Sequence, residues 1–208
     1  MASKTRTPRQ KRSIGTRDRI IEAARVLFAD EGFHATNTKR IAARAKVAIG
    51  SFYAYFQDKK EVFLAVLEEY NRAIAERITF LLPDPHGLAD KEEILSGLIK
   101  EILDAHNLDP GLHREIALLA QTDPDVKRIM EKQESEQRAL TVRYLAAWRD
   151  HISVEDLEAA AFVVFGAVES VAHALALRQT DLDSRRLTRE LTAMICRYLF
   201  PAGTYKPT

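Results

Sequence analysis

The sequence predicts an all-α protein of about nine helices. Apolar residues recur at the three- and four-residue spacing of amphipathic helices along most of the 208-residue chain. Val, Ile and Thr form no alternating run flanked by hairpin turns, so we predict no β-strand. Hydrophobic residues make up 46% of the composition, which is enough for a buried core in one domain or in two small ones.

Four helices are predicted before residue 83. Gly32 is placed to stop the first helix, and Asn37 is a favoured N-cap for the second. Asp58 with Glu61 forms a capping-box-like start for the fourth helix, and the prolines of segment 83–87 must end it. The predicted ranges are 16–30, 38–45, 49–55 and 58–82.

Five helices are predicted in the remainder of the chain. Pro110 suits the first turn of a short helix, and Ser153 with Asp156 is predicted to cap a long one. The segment Pro-Ala-Gly at 201–203 is expected to close the last helix. The predicted ranges are 91–106, a short helix beginning at about 110, then 123–149, 153–178 and 183–200.

Charge is distributed unevenly along the chain, although the net charge is only +1. Residues 1–60 contain 14 Lys and Arg against 5 Asp and Glu, a net of +9, which leaves −8 for residues 61–208. A basic head on an acidic body indicates that the head binds a polyanion.

Residues 36–61 read as a helix-turn-helix, in which the second of two short helices is presented to a DNA major groove. The outward-facing positions of its first helix and turn are basic, and Tyr53 lies on its second helix. The alternative is an ordinary helical hairpin in which Tyr53 and Tyr55 are half-buried packing residues. The predicted small core consists of Ile41, Ala42, Ala45, Val47, Phe52 and Phe56.

A longer string of residues around this motif resembles the tetracycline-repressor (TetR/AcrR) family of bacterial regulators. The string comprises Ile20–Phe28, Gly32-Phe33, Ala35-Thr36, Ile41-Ala42, Gly50–Tyr53, Tyr55-Phe56 and Lys59–Phe63. The resemblance implies DNA contacts at Thr38, Lys39, Ile49, Gly50, Tyr53, Tyr55 and Lys59.

Two positions depart from the family pattern. Lys46 stands where the turn usually has Gly, and Ala48 stands where the recognition helix usually has a Ser cap. We therefore expect Lys46 to adopt a left-handed conformation and the recognition helix to be less stable than usual.

The resemblance and the charge distribution together suggest three regions. We predict a disordered basic arm at 1–13, a helix-turn-helix domain at 14–60, and a helical effector-binding and dimerisation domain at 61–208, with helix 58–82 as connector. The arm either contacts DNA or is a solvated tail; a transit peptide explains the same residues less well. Its basic residues are Lys4, Arg6, Arg9, Lys11 and Arg12.

The body is predicted to dimerise and to bind a ligand. Segment 159–168 is apolar nearly all round and must be buried on more than one side, so helices 153–178 and 183–200 are the expected homodimer interface. The resemblance also implies a pocket for a small, largely apolar effector. The candidate residues for lining this pocket are His113, Tyr144, Trp148, Phe162, Phe165, Glu169 and His173. For each of them, the alternative is a role in core packing.

Other chemistry is not indicated. The six His residues lack the spacing of metal ligands. The sequence also contains no Gly-rich phosphate loop and no recognisable pair of nucleophile and base. We therefore expect no cofactor, metal or catalytic site. The single Cys, Cys196, excludes an intramolecular disulfide and indicates a reducing compartment. No apolar run approaches the roughly 18 residues that cross a bilayer, so we expect a cytoplasmic, nucleoid-associated protein.

The combined prediction is a homodimeric repressor that a small molecule releases from a palindromic operator. The first alternative is a DNA-binding protein of the same fold that is controlled by a protein partner or acts architecturally. The second is an all-helical enzyme or protein-interaction module in which residues 36–61 are scaffold.

Overall fold

The computed structural model describes residues 11–81 and 90–200, and these form nine α-helices and one short 3-10 helix without a strand. The all-α prediction is confirmed. The α-helices are α1 (Lys11–Glu31), α2 (Thr38–Arg44), α3 (Ile49–Tyr53), α4 (Lys59–Leu81), α5 (Lys91–His106), α6 (Pro110–Ala120), α7 (Pro124–Ala147), α8 (Leu157–Ala176) and α9 (Ser184–Leu199).

Polar caps account for most of the helix starts. The Asn37 side chain accepts a hydrogen bond from the Arg40 N–H at 3.0 Å, and the Asp58 side chain accepts one from the Glu61 N–H at 2.8 Å. Each cap satisfies a backbone donor that the first helical turn leaves without an intrahelical partner. Asp90, Asp109, Asp156 and Asp183 cap α5, α6, α8 and α9 in the same way.

Two predicted boundaries are corrected. Helix α1 begins at Lys11, so residues 11–13 of the predicted disordered arm are helical, while residues 1–10 lie outside the described part. Ser153 does not begin α8: its N–H and Oγ both donate to the Leu199 carbonyl, at 2.7 and 3.2 Å, and Asp156 is the cap. The predicted breaks at 83–87 and 201–203 also lie outside the described residues.

The chain divides into two compact units, and the division differs from the predicted domains. Within the described part of the chain, the first unit contains residues 11–72 and 109–129, and the second contains residues 73–81, 90–108 and 130–200. Helix α6 and the start of α7 therefore belong with the helix-turn-helix, although the sequence assigned them to the body. The predicted connector, α4, contributes residues to both units.

The core of the first unit is aromatic at its centre. The ring centroid of Phe63 lies 5.2 Å from that of Phe28 and 5.3 Å from that of Phe33, at the steep angles favoured by aromatic pairs. Helices α1 and α6 pack closely because Gly111 has no side chain: a Cβ there would lie 2.4 Å from the Ala29 carbonyl oxygen. The helix-turn-helix is thus mounted on a densely packed support.

The second unit has a core built from α5, α8 and α9, to which Leu145 of α7 and Trp148, which follows α7, also contribute. Cys196 is buried there. Burial raises the pKa of its thiol to about 11, with a smaller contribution from the nearby carboxylates of Glu92 and Asp90. A neutral, buried thiol of this kind is a packing group.

Helix α8 corrects the expectation about apolar segments. It is 20 residues long with a mean hydropathy of 1.7, so by length and composition it is long enough and apolar enough to cross a bilayer. Glu158 and Glu169 flank the apolar segment 159–168, which is why the sequence did not read as one continuous apolar run of about 18 residues. A helix buried in the core of a soluble protein can be equally long and apolar. Only 28% of the apolar stretch of α8 is buried within one chain.

Candidate nucleic-acid interface and effector cavity

The two helices of the helix-turn-helix are locked by the predicted small core. Ile41, Phe52 and Phe56 are buried, as are the two alanines, Ala42 and Ala45, that allow a close helix crossing. Val47 contributes a half-buried side chain from the turn. Because α3 is only five residues long, its orientation depends on this core more than on its own backbone hydrogen bonds.

The turn has the conformation that its unusual residues predict. Lys46 adopts φ 56°, in the left-handed region. Its N–H donates to the Ala43 carbonyl at 3.1 Å and the Val47 N–H donates to the Ala42 carbonyl at 3.0 Å, which is the hydrogen-bond pattern of a Schellman motif. Ala48, the N-cap of α3, makes no side-chain cap bond. The expected left-handed conformation of Lys46 is confirmed, and the lower stability of the recognition helix stays a prediction.

Helix α3 presents an exposed face of mixed chemistry. Tyr53 is 51% exposed and Ile49 is 40% exposed, and Gly50 between them is open. The Tyr53 hydroxyl lies 3.1 Å from the Thr38 hydroxyl, at the start of α2, and Lys39 follows on the surface. Five of the seven predicted contact residues, including Tyr53 itself, therefore lie on one exposed surface, which can offer hydroxyl, ammonium and apolar groups to a ligand.

Two further predicted contact residues are less available. Tyr55 is half-buried. The Lys59 ammonium donates to the carbonyls of Phe33 and Thr36, at 2.6 and 2.9 Å, and lies 4.2 Å from the centroid of the Phe33 ring. Burial lowers the pKa of Lys59. Its side chain holds the segment between α1 and α2, a structural role that the sequence did not reveal.

Ion pairs join α6 and α7 to the rest of the first unit. Arg25 on α1 pairs with Asp109, the cap of α6, and also with Glu22 at 2.8 Å. Lys60 on α4 pairs with Asp123 and Asp125, at 2.8 and 2.7 Å. The hydrogen bonds that Arg25 donates to Glu22 are the largest cause of its raised pKa. The hydrogen bonds that Lys60 donates to Asp123 and Asp125 raise the pKa of Lys60.

A cavity of about 130 Å³ lies within the second unit. Four of the predicted effector residues line it, namely Tyr144, Trp148, Phe165 and Glu169. The rest of its lining is largely aliphatic, with Ile99 and Ile102 from α5 among the contributors. Sequence alone could not distinguish those aliphatic residues from ordinary core.

Three predicted effector residues do not line this cavity. Phe162 is 62% exposed, because it lies on the outer side of α8. His113 belongs to the first unit, where its Nδ1 lies 3.1 Å from the Tyr70 hydroxyl. His173 lies beside Glu169, with its Nε2 3.4 Å from the carboxylate oxygen Oε2, and is half exposed. For these three residues, the predicted place in the cavity lining is corrected. Helix periodicity indicates which residues share a face of a helix, but not which other helix that face contacts.

The outer side of α8 and α9 carries large apolar side chains. Phe162 and Val163 on α8 are exposed, as are Met194 and Tyr198 on α9. Clusters of exposed apolar residues on soluble proteins mark interaction sites more often than scattered single residues do. This surface lies on the two helices predicted to dimerise.

Two family profiles match the chain. Residues 20–66 match the profile described as bacterial regulatory proteins, tetR family, and residues 91–199 match the profile described as tetracyclin repressor-like, C-terminal domain. A curated relative, the HTH-type transcriptional repressor AcnR of Corynebacterium efficiens, is 26% identical over 144 residues, which cover 69% of this chain. The alignment spans only 61% of the length of that relative.

Solved structures agree with the fold. A protein from Mesorhizobium loti assigned to the TetR family has a TM-score of 0.73 and 22% identity, with coverage of 89% of this chain and 96% of its own. The SmeT–triclosan complex has a TM-score of 0.69 and 20% identity, with coverage of 92% and 95%.

The second profile alone covers more than half of the chain, and both profiles describe transcriptional regulators rather than enzymes. The predictions of a DNA-binding helix-turn-helix and of a non-enzymatic protein are therefore confirmed. The chain belongs to the tetR family of bacterial regulatory proteins.

Proposed function

We propose that the protein is a cytoplasmic, homodimeric repressor that binds a palindromic operator and is released from it by a small-molecule effector. The observation that carries the proposal is the surface around Tyr53, where an exposed aromatic, an exposed Ile49 and an exposed Lys39 stand on a helix-turn-helix that is rigidly supported. Exposed aromatic and aliphatic side chains on so short a helix add little to folding stability.

Each group on this surface has a function in DNA recognition. The Tyr53 and Thr38 hydroxyls, already 3.1 Å apart, can bond phosphate oxygens, while Lys39 supplies charge. Ile49 can contact thymine methyl groups in the major groove, so we expect apolar readout at that position. Gly50 lets the backbone of α3 approach the DNA closely. The contacts of Tyr55 and Lys59 are expected to be peripheral, since Tyr55 is half-buried and Lys59 bonds two carbonyls.

Dimerisation is supported by the exposed apolar side chains of α8 and α9. One recognition helix reads only a few base pairs, and a two-fold dimer doubles the site while placing the half-sites about 34–36 Å apart or at a multiple of that distance. Phe162 is the best anchor for such an interface, because large aromatic side chains dominate binding energies at interfaces.

Effector binding is supported by the cavity in the second unit. Its lining is mainly apolar, and Glu169 is its charged group. A volume of about 130 Å³ is smaller than the roughly 300–1,000 Å³ of typical ligand pockets. A ligand larger than a single ring must therefore displace the surrounding helices, and such a displacement is what regulation of DNA binding requires. Triclosan, bound in the SmeT complex, is a small molecule of this general kind.

The small volume also favours a second candidate, in which the cavity is a packing defect and DNA binding is controlled by a protein partner. A melting-temperature screen against apolar and amphipathic small molecules separates the two candidates. A compound that raises the melting temperature and weakens operator binding supports the effector. If a Phe165→Trp variant, which fills the cavity, keeps every such response, the cavity is not the effector site.

The DNA proposal is tested by selecting bound sequences from random duplexes and then measuring affinity against salt. We expect a palindrome. Replacing Lys39 by Ala should lower the slope of log affinity against log salt by about one, and Tyr53→Ala should weaken binding further. Lys132→Ala, an exposed lysine on α7, is the matched control and should change neither quantity. If Tyr53→Ala with Lys39→Ala leaves affinity and salt slope unchanged, the interface is wrong.

A further inference from the structure

Three potential metal ligands converge in the second unit although the sequence spacing of its histidines gave no metal signal. His106 is on the last turn of α5, while Glu169 and His173 lie one turn apart on α8. One ligand atom from each lies within 4.8 Å of the others. The spacing gave no signal because 63 residues separate His106 from Glu169 and only the packing of α5 against α8 brings them together.

The distances within the cluster favour a shared ion over direct hydrogen bonds. The Oε2 atom of Glu169 lies 3.3 Å from His106 Nε2 and 3.4 Å from His173 Nε2. Charge-assisted N–H···O hydrogen bonds are shorter, about 2.7–2.9 Å. Ligand atoms that each lie about 2.0–2.1 Å from a tetrahedral zinc ion are separated by about 3.3–3.4 Å. Cis ligands of an octahedral ion with similar bonds are about 3.0 Å apart.

The surroundings prepare the cluster for a cation. The Nδ1 of His106 lies 2.8 Å from the Ile102 carbonyl oxygen, so Nδ1 carries the proton and the Nε2 lone pair faces Glu169 in the neutral ring. A backbone carbonyl in this position is the usual partner of a metal-binding histidine, whose ring orientation it fixes. His106 is buried and Glu169 nearly so, whereas half-exposed His173 offers a route from solvent.

The charge balance is compatible with a bound cation. A largely buried carboxylate needs a positive charge nearby, which a protonated imidazole or a bound metal ion can supply. A divalent ion would supply that charge and would still allow both rings to remain neutral.

We propose that His106, Glu169 and His173 form a binding site for a divalent transition-metal ion of tetrahedral preference, best fitted by Zn²⁺. Two imidazoles and one carboxylate leave a fourth position for water or another ligand. Glu169 also lines the cavity, so the ion would lie at its edge and link α5 to α8. Binding of the ion needs neither DNA nor a dimer, so the site stands or falls independently of the repressor function.

The first test uses the full chain after treatment with a chelator. Calorimetric titration with zinc sulfate should give one saturable site per chain, and Zn²⁺ should raise the melting temperature. Titration with Co²⁺ should give the intense visible absorption of a tetrahedral ion. The cobalt spectrum needs no variant, so it remains decisive if substitutions disturb folding. Absence of saturable Zn²⁺ binding, or a weak octahedral cobalt spectrum, would overturn the proposal and leave the cluster as a hydrogen-bonded ion pair.

Variants assign the ligands. His173→Ala, at the half-exposed position, and the isosteric Glu169→Gln should each weaken Zn²⁺ binding by more than the 10–100-fold typical of losing an outer-shell partner. His151→Ala removes an exposed histidine of the 3-10 helix in the same unit and is the matched control. If His173→Ala and His151→Ala bind Zn²⁺ as tightly as the natural chain, the ion lies elsewhere and the assignment fails.

Discussion

Replacing Lys46 by glycine should stabilise the helix-turn-helix. Lys46 holds φ 56°, and a left-handed conformation costs an L-residue about 1–2 kcal/mol. Glycine adopts this conformation freely, but its greater freedom in the unfolded chain costs about 0.4–1 kcal/mol. The difference leaves a net gain of about 1 kcal/mol. For a cooperative unit of about 150–250 residues, that gain corresponds to a rise of about 2–4 °C in melting temperature.

The assay combines thermal melting, followed by circular dichroism, with amide hydrogen exchange of α3, which reports on the first unit alone. Lys46→Ala is the matched control, since it removes the same ammonium group but keeps the Cβ that causes the strain. We expect the Lys46→Gly variant to have a higher melting temperature than Lys46→Ala. The hydrogen of its Phe52 amide, which donates to the Ala48 carbonyl at 3.2 Å, should also exchange more slowly. Equal stability of the two variants would refute the strain argument.

Three further predictions concern packing and buried polar groups. Gly111→Ala should destabilise the protein by about 1–3 kcal/mol, because the new Cβ would lie 2.4 Å from the Ala29 carbonyl oxygen. Gly97→Ala on α5 is the control: the space around Gly97 is open, so the variant should stabilise the protein by about 0.5–1 kcal/mol. Urea titration measures the free energy of unfolding of both variants. Lys59→Met should lower stability by about 1–3 kcal/mol in the absence of DNA, because two carbonyls lose their donor, and an unchanged melting temperature would contradict that structural role. The Cys196 thiol has a pKa of about 11 in the folded protein, whereas a thiol in the denatured chain titrates near 8.5. At about pH 8 it should therefore react with a disulfide reagent at least 100-fold more slowly in the folded protein than in denaturant. Equal reaction rates would show that the thiol is accessible in the folded protein.

The order and approximate limits of the helices followed from local signals. Asn37 and Asp58 cap the helices whose starts they were predicted to mark, since a cap depends only on residues two or three positions away. Asp156, predicted as the partner of Ser153 in a cap pair, is itself the N-cap of α8. Ser153 failed as a start because the Leu199 carbonyl, 46 residues distant, takes both of its hydrogen bonds. A remote partner leaves no trace in the local pattern.

The exposed surface around Tyr53 was predictable for a related reason. Ile49, Gly50 and Tyr53 are close in sequence, so helical periodicity alone places them together, and the family-like string identifies the face. The effector residues were predictable only in part. Trp148 and Phe165 line the cavity, but Phe162, three positions before Phe165, turns to the surface because the packing of α8 decides which face is inside.

The sequence by itself therefore determined the fold class, the helix-turn-helix and the conformation of its unusual turn at Lys46, because each depends on residues within about one helical turn of each other. Only the tertiary structure assigned α6 to the first unit through Arg25 and Asp109, and only it brought His106 to Glu169. These contacts join residues 84 and 63 positions apart. Their formation depends on how whole helices pack, and helix packing is set by the summed burial of many side chains rather than by any local motif.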